Sequence, residues 1–91
     1  MRVTVRLFAR LRESAGTPEC ELDVPAEATV DDVWRALVRR YPSLEPYGDS
    51  TTAAVNADFA RRATRVTEED EVAFLPPVSG GSLLKRQRVK G

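Results

Sequence analysis

Apolar and polar residues alternate along two stretches near the start of the chain. The alternating apolar positions are Val3, Val5 and Leu7 in the first stretch and Cys20, Leu22 and Val24 in the second. A period of two places every second side chain on one face, so both stretches are predicted to be half-buried strands. If they pair, acids of the second strand oppose Arg2 and Arg6 of the first. Residues 9–16 between them predict a helical turn or a loop that closes at Gly16.

The pattern then changes to a helical one. Apolar residues recur every three or four positions at Val30, Val33, Trp34, Leu37, Val38 and Tyr41. Thr29 is a suitable N-cap, and Asp31 and Asp32 lie in the first turn, where the helix dipole favours acids. Pro42 ends the pattern. The spacing predicts one amphipathic helix whose apolar stripe, Trp34 and Tyr41 included, packs on the core.

Shorter elements fill the second half of the chain. A loop with proline and glycine at 42–51 precedes a short strand at 53–56, and Phe59 opens a return segment. A polar turn at 67–70 leads to a last strand at 71–75, which Pro76 and Pro77 end because neither can donate to the ladder. This order predicts an α+β fold, a β-grasp with a mixed sheet of about five strands packed on one main helix.

Composition limits the classes of protein to consider. The 91 residues allow one small domain, and 42% are hydrophobic and 31% charged, as in an ordinary globular protein. No apolar run has membrane-spanning length and the N-terminus is strand-like, so we expect a cytoplasmic protein that does not bind membranes. One cysteine and no histidine argue against a disulfide, a structural zinc site and histidine-based catalysis.

Charge divides the chain into two parts. The last ten residues, 82–91, hold four of the fourteen basic residues and none of the fourteen acids, which leaves −4 on residues 1–81. We call residues 82–91 the C-terminal segment. The break predicts a domain at 1–81 followed by a basic extension at 82–91. An acidic domain gives no reason to expect nucleic-acid binding.

The motif with the most direct chemistry is Gly80-Gly81. Two glycines make the thinnest possible peptide, able to lie in a narrow channel of another protein. A free carboxylate on Gly81 would attack the α-phosphate of ATP, and the resulting acyl-adenylate would accept sulfur to give a thiocarboxylate. The other reading of Gly-Gly is a flexible linker before a tail.

A family resemblance favours the first reading. Residues 53–56 (AAVN), residues 69–81 (EDEVAFLPPVSGG) and the opening RLFAR at 6–10 with Arg12-Glu13 resemble the MoaD/ThiS sulfur-carrier family. The similarity spans residues 1–81 and is closest to small subunits of molybdopterin synthase. Family members usually end at the diglycine, so the C-terminal segment departs from the pattern.

The resemblance implies both a fold and a set of partners. The fold is a ubiquitin-like β-grasp, and the chain is a carrier, not an enzyme, with no bound cofactor. Gly81 would bear the thiocarboxylate, and Gly80, Ser79 and Val78 would lie in the partner's channel. The implied partners are the large catalytic subunit of molybdopterin synthase, an E1-like adenylyltransferase that uses ATP, and a sulfurtransferase.

Out-of-phase apolar residues predict a docking surface beside this arm. Alternation sends Ala73 and Leu75 away from the core face that Val72 and Phe74 occupy, and Phe8 falls out of phase with Leu7. The candidate docking residues are Phe8, Phe59, Leu75, Pro76 and Pro77. Their exposure is also compatible with no function, since single exposed apolar residues are common.

Two other groups of residues suggest a function, but the sequence favours a structural role for each. Cys20 is in register with buried positions, where a thiol has a raised pKa and is inert. Arg61, Arg62 and Arg65 form a basic cluster that is more typical of a solvated face than of a binding site.

Alternatives stay open at this stage. The C-terminal segment fits a precursor extension removed by a processing protease, an altered stop or an appended sequence. The carrier could serve thiamine, cysteine or thiolated-tRNA synthesis instead. A ubiquitin-like modifier fits a domain whose residues 1–81 contain no lysine, and a β-grasp interaction domain would use the C-terminal segment itself.

Overall fold

Five strands form one mixed sheet in residues 1–76, the part of the chain that the computed structural model describes. The elements in chain order are β1 (Arg2–Leu7), α1 (Ala9–Ala15), β2 (Glu19–Asp23), α2 (Val30–Arg40), a 3₁₀ helix (Pro42–Ser50), β3 (Thr52–Val55), β4 (Asp58–Ala60) and β5 (Glu71–Leu75). The strand order is β2-β1-β5-β3-β4. β1 and β5 run parallel, and the other neighbours are antiparallel. The predicted α+β fold with one main helix is confirmed.

The core lies between α2 and one face of the sheet. Val30, Val33 and Leu37 of α2 are fully buried, and Trp34 is 5% exposed. The Trp34 ring meets the ring of Phe74 from β5 edge to face, with centroids 5.0 Å apart. The helical stripe read from the sequence is therefore the surface that packs on the sheet.

Thr29 and Asp32 cap the start of α2 in both directions. The Asp32 N–H donates to Thr29 Oγ1 over 3.3 Å, and the Thr29 N–H donates to Asp32 Oδ2 over 3.0 Å. The Thr29 N–H and the Thr29 hydroxyl both donate to Asp32 Oδ2 and hold the pKa of that carboxyl below its usual value. The helix ends at Arg40, with Pro42 two residues beyond, as the sequence indicated.

Two segments are more regular than the sequence suggested. Residues 42–51 were expected to form a loop, but Pro42–Ser50 is a 3₁₀ helix that buries Leu44 completely. Two hydrophobic residues in nine, Leu44 and Tyr47, leave too little pattern for a helix to be recognised. Ala9–Ala15 forms two turns of α-helix around the buried Leu11 and ends at Gly16, whose φ of 81° confirms the predicted closure.

The predicted opposition of charges between β1 and β2 is confirmed, since Arg2 pairs in register with Asp23 and Arg6 with Glu19. Arg2 contacts Glu21 and Asp23 of β2 at 3.5 and 3.3 Å, as expected. The Arg6 side chain forms its ion pair with Glu71 of β5, at 3.1 Å. β1 lies between β2 and β5, so its side chains have acidic neighbours on both sides, and the sequence alone does not show the parallel partner.

Candidate functional site

Alternation along β5 creates two different faces of the sheet. Val72 and Phe74 are fully buried beneath α2. Ala73 and Leu75, between and after them, are half-buried on the opposite side, which we call the outer face. The predicted alternation of the last strand is therefore confirmed.

A cross-strand row of small residues leads over the outer face to an exposed aromatic ring. Ala73 pairs with Ala54 of β3, and Ala54 pairs with Phe59 of β4. Ala54 is only 7% exposed, whereas Phe59 is 82% exposed at the edge of the sheet. Ala54, Phe59, Ala73 and Leu75 form what we call the apolar half of the outer face.

Phe8 borders this apolar half because of an unusual backbone turn. Leu7 pairs with Phe74 on the core side, and Phe8 keeps an extended backbone, so its side chain lies on the outer side. Ala9 then takes a φ of 51°, which turns the chain into α1. Phe8 is 38% exposed. The register thus places it beside Leu75 on the neighbouring strand.

The other half of the outer face is charged. It consists of Arg2 and Arg6 with Glu19, Glu21, Asp23 and Glu71 on β1, β2 and the start of β5. Four carboxylates against two guanidinium groups give this acidic half a net charge of −2. The ion pairs that Arg2 and Arg6 form on it are exposed, with side-chain exposures from 44% to 78%, so they are weak and screened by salt.

The structure brings four of the five predicted docking residues to the outer face or its border. Phe8, Phe59, Leu75 and Pro76 are half-buried or exposed there. Pro77 lies outside the described residues, as do Val78, Ser79, Gly80 and Gly81. In the sequence, residues 77–81 follow directly after Leu75 and Pro76, which lie at the border of the apolar half. Docking itself remains a prediction.

Asn56 ties the β3–β4 turn to the start of β5, a role that the sequence did not reveal. Its Nδ2 donates to Asp70 Oδ1 over 2.9 Å, and its Oδ1 accepts from the Glu71 N–H over 3.0 Å. The Thr67 N–H and Asn56 lower the pKa of Asp70. An asparagine at a strand end and an aspartate in a polar turn are the only sequence signs of such a link.

The remaining candidates are structural. Cys20 is half-buried, and burial raises the pKa of its thiol. The arginine cluster is not one solvated face, since Arg62 is half-buried against Asp31 at 2.9 Å while Arg61 and Arg65 are exposed. Residues 1–76 contain no cluster of three or more potential metal ligands. None of their helices is long and apolar enough to cross a bilayer.

Comparison with known proteins decides the family. The model of the ThiS family matches residues 5–81, most of the chain and the whole described sheet except its first residues. The chain belongs to the ThiS family. The match ends at Gly81 and so includes the diglycine.

Named relatives cover nearly the same residues. The molybdopterin synthase sulfur carrier subunit of Arabidopsis thaliana is 36% identical over 81 residues, 89% of this chain and 84% of the relative. The small archaeal modifier protein 1 of Haloferax volcanii is 38% identical over 84% of this chain and 97% of the relative. The ThiS resemblance seen in the sequence is therefore confirmed.

Solved structures establish the fold independently of the element order. The crystal structure of SAMP1 from Haloferax volcanii superposes with a TM-score of 0.81 and covers 89% of this chain and all of that one. A protein–protein complex of subunits 1 and 2 of molybdopterin-converting factor from Helicobacter pylori contains a chain with a TM-score of 0.63 and 20% identity, covering 86% of this chain and 96% of that one. The fold is a ubiquitin-like β-grasp.

Proposed function

We propose that this ThiS-family chain is a sulfur carrier, the small subunit of molybdopterin synthase, acting in molybdenum cofactor biosynthesis. The observation that carries the proposal is the similarity of residues 1–81 to molybdopterin synthase sulfur carrier subunits, at 36% identity for the Arabidopsis relative. The family match also ends on the glycine that the chemistry requires.

The chemistry takes place at the carboxylate of Gly81. One carboxylate oxygen attacks the α-phosphate of ATP, pyrophosphate leaves, and a mixed anhydride with AMP forms. The terminal sulfur of a persulfide on the donor then attacks the carbonyl carbon and expels AMP. A thiol cleaves the resulting acyl disulfide by forming a disulfide with the donor's cysteine, which leaves the thiocarboxylate on Gly81. An E1-like adenylyltransferase supplies the first step and a sulfurtransferase the second. The thiocarboxylate finally gives its sulfur to a pterin precursor.

The full chain lacks the reacting group. In it the Gly81 carbonyl is bonded to the nitrogen of Ser82, and an amide has no anionic oxygen to attack ATP. Hydrolysis of the Gly81–Ser82 bond by a processing protease would produce the carboxylate. We therefore assign carrier activity to residues 1–81.

The outer face supplies the docking surface for the large catalytic subunit. Phe59 and Phe8 expose aromatic area beside the small Ala54 and Ala73, a combination suited to an apolar interface. The arm from Pro77 to Gly81 reaches about 14 Å when extended, enough to enter a pocket in the docked partner. The acid–base groups for sulfur transfer would then come from that partner.

Mass spectrometry of three chain lengths tests the proposal. Chains ending at Gly81, Ser82 and Gly91 are each incubated with the cognate activating enzyme, sulfurtransferase, ATP and a sulfur source. Only the chain ending at Gly81 should gain the mass of one sulfur in place of one oxygen. The Ser82 chain is the matched control, since it has a free carboxylate on the wrong residue.

The loaded chain also separates the competing functions. Addition of the large subunit and the pterin precursor should return the chain to its starting mass. If no sulfur is ever gained at Gly81, the carrier proposal is wrong. Sulfur that is gained but transferred only to thiamine, cysteine or tRNA precursors would assign another pathway, and amide adducts on lysines of other proteins would indicate a modifier.

A further inference from the structure

The outer face and the C-terminal segment have complementary compositions. The face has an apolar half and an acidic half of net charge −2, side by side on one sheet. The segment has two adjacent leucines, Leu83 and Leu84, followed by four cations among its last seven residues and no acid. Each part of the face thus has a counterpart of matching character in the segment.

We propose that the C-terminal segment binds the outer face of its own domain. Leu83 and Leu84 cover the apolar half, and the cations of the segment lie against the carboxylates of the acidic half. The occupant is this segment of the same chain, neither a second copy nor a different protein.

The length of the intervening chain permits this contact. β5 ends at Leu75, at the border of the apolar half, and Leu83 is seven residues after Pro76 along the chain, with six residues between them. This stretch spans at most about 23 Å, while strand spacings of about 4.8 Å make a five-stranded sheet only about 19 Å wide. Gly80-Gly81 provides a place where the chain can reverse. The leucines can therefore return to any strand of the face.

Because the segment is tethered to the domain, even weak contacts are sufficient for it to occupy the outer face. Exposed ion pairs contribute little individually, and two leucines bury a limited apolar area. A short flexible connection, however, gives the segment an effective concentration in the millimolar range. A segment that binds in trans with a Kd of about 0.1–1 mM would then occupy the face for most of the time.

The contact would inhibit the unprocessed carrier in a second way, by preventing it from docking on the large subunit. This consequence rests on the proposed function. The amide at Gly81 prevents adenylation, and the bound segment would cover Phe59 and the apolar half that the large subunit needs. Cleavage after Gly81 would free the carboxylate and, once the segment dissociates, the docking surface.

Amide NMR spectra of chains 1–91 and 1–81 test the contact without any partner protein. The helices and strands of the described residues 1–76 are all retained in the shorter chain, which we therefore expect to keep this fold. The two spectra should differ at Ala54, Phe59 and Ala73 and at Glu19 and Glu21. Amides on the outward side of α2, on the other side of the domain, should coincide. A peptide of residues 82–91 added to chain 1–81 should reproduce the shifts and saturate with a Kd of about 0.1–1 mM.

Two variants of the full chain separate the two halves of the contact. Leu83→Ser with Leu84→Ser should remove the differences at Ala54, Phe59 and Ala73. Lys85→Glu with Arg86→Glu should remove those at Glu19 and Glu21. Ser82→Ala, which changes neither apolar area nor charge, is the control and should leave the 1–91 spectrum unchanged on the outer face.

The outcomes are decisive in either direction. Spectra of 1–91 and 1–81 that coincide on the outer face overturn the proposal, as do differences located on α2. Differences that fade on dilution would show that a second copy occupies the face, which also overturns it. Because no activating enzyme or sulfur source is present, the result is independent of whether Gly81 carries sulfur.

Discussion

At the residue scale, the β3–β4 turn combines a favourable residue with a costly one. Asn56 and Ala57 both have positive φ, 50° and 75°, as the tight turn of a two-residue hairpin requires. Asparagine tolerates this region well. Alanine does not, because its Cβ crowds the following carbonyl. Asn-Gly is the preferred pair at such a turn, so alanine at position 57 makes the fold less stable than glycine would.

Ala57→Gly should therefore stabilise the domain. We expect the free energy of unfolding to rise by about 1 kcal/mol, since the relief of left-handed strain exceeds the added entropy of the unfolded chain. Urea denaturation measures the change. Ala63→Gly, at an exposed loop position without positive φ, is the control and should lower stability or leave it unchanged. A loss of stability in Ala57→Gly would contradict this account of the turn.

Asp70 makes stability depend on pH. Hydrogen bonds from the Thr67 N–H and Asn56 lower its pKa in the folded state, so the folded state favours the ionised carboxylate. The contribution is full above the unfolded pKa of about 3.9 and is lost as the pH falls through the lower folded pKa.

Asp70→Asn tests this dependence. The variant should be less stable than the parent at neutral pH, and the difference should shrink and vanish as the pH falls below about 3.9. Thermal unfolding at several pH values measures it. Asp49→Asn removes an exposed carboxylate without a hydrogen bond in residues 1–76 and should show no such trend. A difference that grew on acidification would refute the assignment.

At the scale of elements, one arginine fastens the loop before β5 to the main helix. Arg62 binds Asp31 of α2 at 2.9 Å, lies 5.5 Å above the centre of the Trp34 ring, and donates to the Gly48 carbonyl of the 3₁₀ helix. The Asp31 N–H donates to the Arg62 carbonyl over 2.9 Å. Three segments distant in sequence thus meet at a single side chain.

Arg62→Ala should lower the free energy of unfolding by about 1–2 kcal/mol, since an ion pair, a cation–π contact and a hydrogen bond are lost together. Arg62→Lys keeps the charge but not the planar guanidinium group, so its free energy of unfolding should lie between those of the parent and of Arg62→Ala. Chemical denaturation measures both. Arg61→Ala, the exposed neighbour, is the control, with an expected change of less than about 0.5 kcal/mol. Equal effects at 61 and 62 would show that the contacts around Arg62 contribute no stability.

At the scale of the whole molecule, the two faces of the sheet have different roles, the inner face in stability and the outer face in the proposed function. Its inner face builds the core with α2, and its outer face carries exposed residues that the fold does not need. Phe59 is the clearest case, because its side chain is 82% exposed on the edge strand. A residue that contributes little to the core and yet presents a large aromatic surface is a natural interface anchor.

Phe59→Ala should therefore weaken binding of the large subunit without weakening the fold. We expect at least a tenfold rise in Kd, about 1.4 kcal/mol, for the chain ending at Gly81, with a change in unfolding free energy below about 0.5 kcal/mol. Calorimetric titration measures the affinity. Arg39→Ala, exposed on α2 on the other side of the domain, is the control and should bind normally. Unchanged affinity in Phe59→Ala would show that the large subunit docks on a different surface.

Much of the fold follows from local patterns. The period-two strands, the helix from Val30 with its Thr29 cap and the closure at Gly16 depend on neighbours a few residues apart, which the sequence displays directly. The 3₁₀ helix and the burial of Arg62 were missed because each depends on contacts with distant segments. Phe8 and Leu75 are indicated by their phase along the strands, and Leu75 lies where alternation indicates, whereas Phe59 is indicated only as the apolar residue that opens the return segment.

The sequence by itself determined the family, the order of the strands and the main helix, and the glycine on which the chemistry depends, since these are properties of residue type and spacing along the chain. Only the tertiary structure decided which strands are neighbours. The parallel pairing of β1 with β5 sends Arg6 to Glu71, and the row from Ala73 through Ala54 to Phe59 joins residues from three strands into one surface. A surface of this kind comes from register across the sheet, which no local pattern contains.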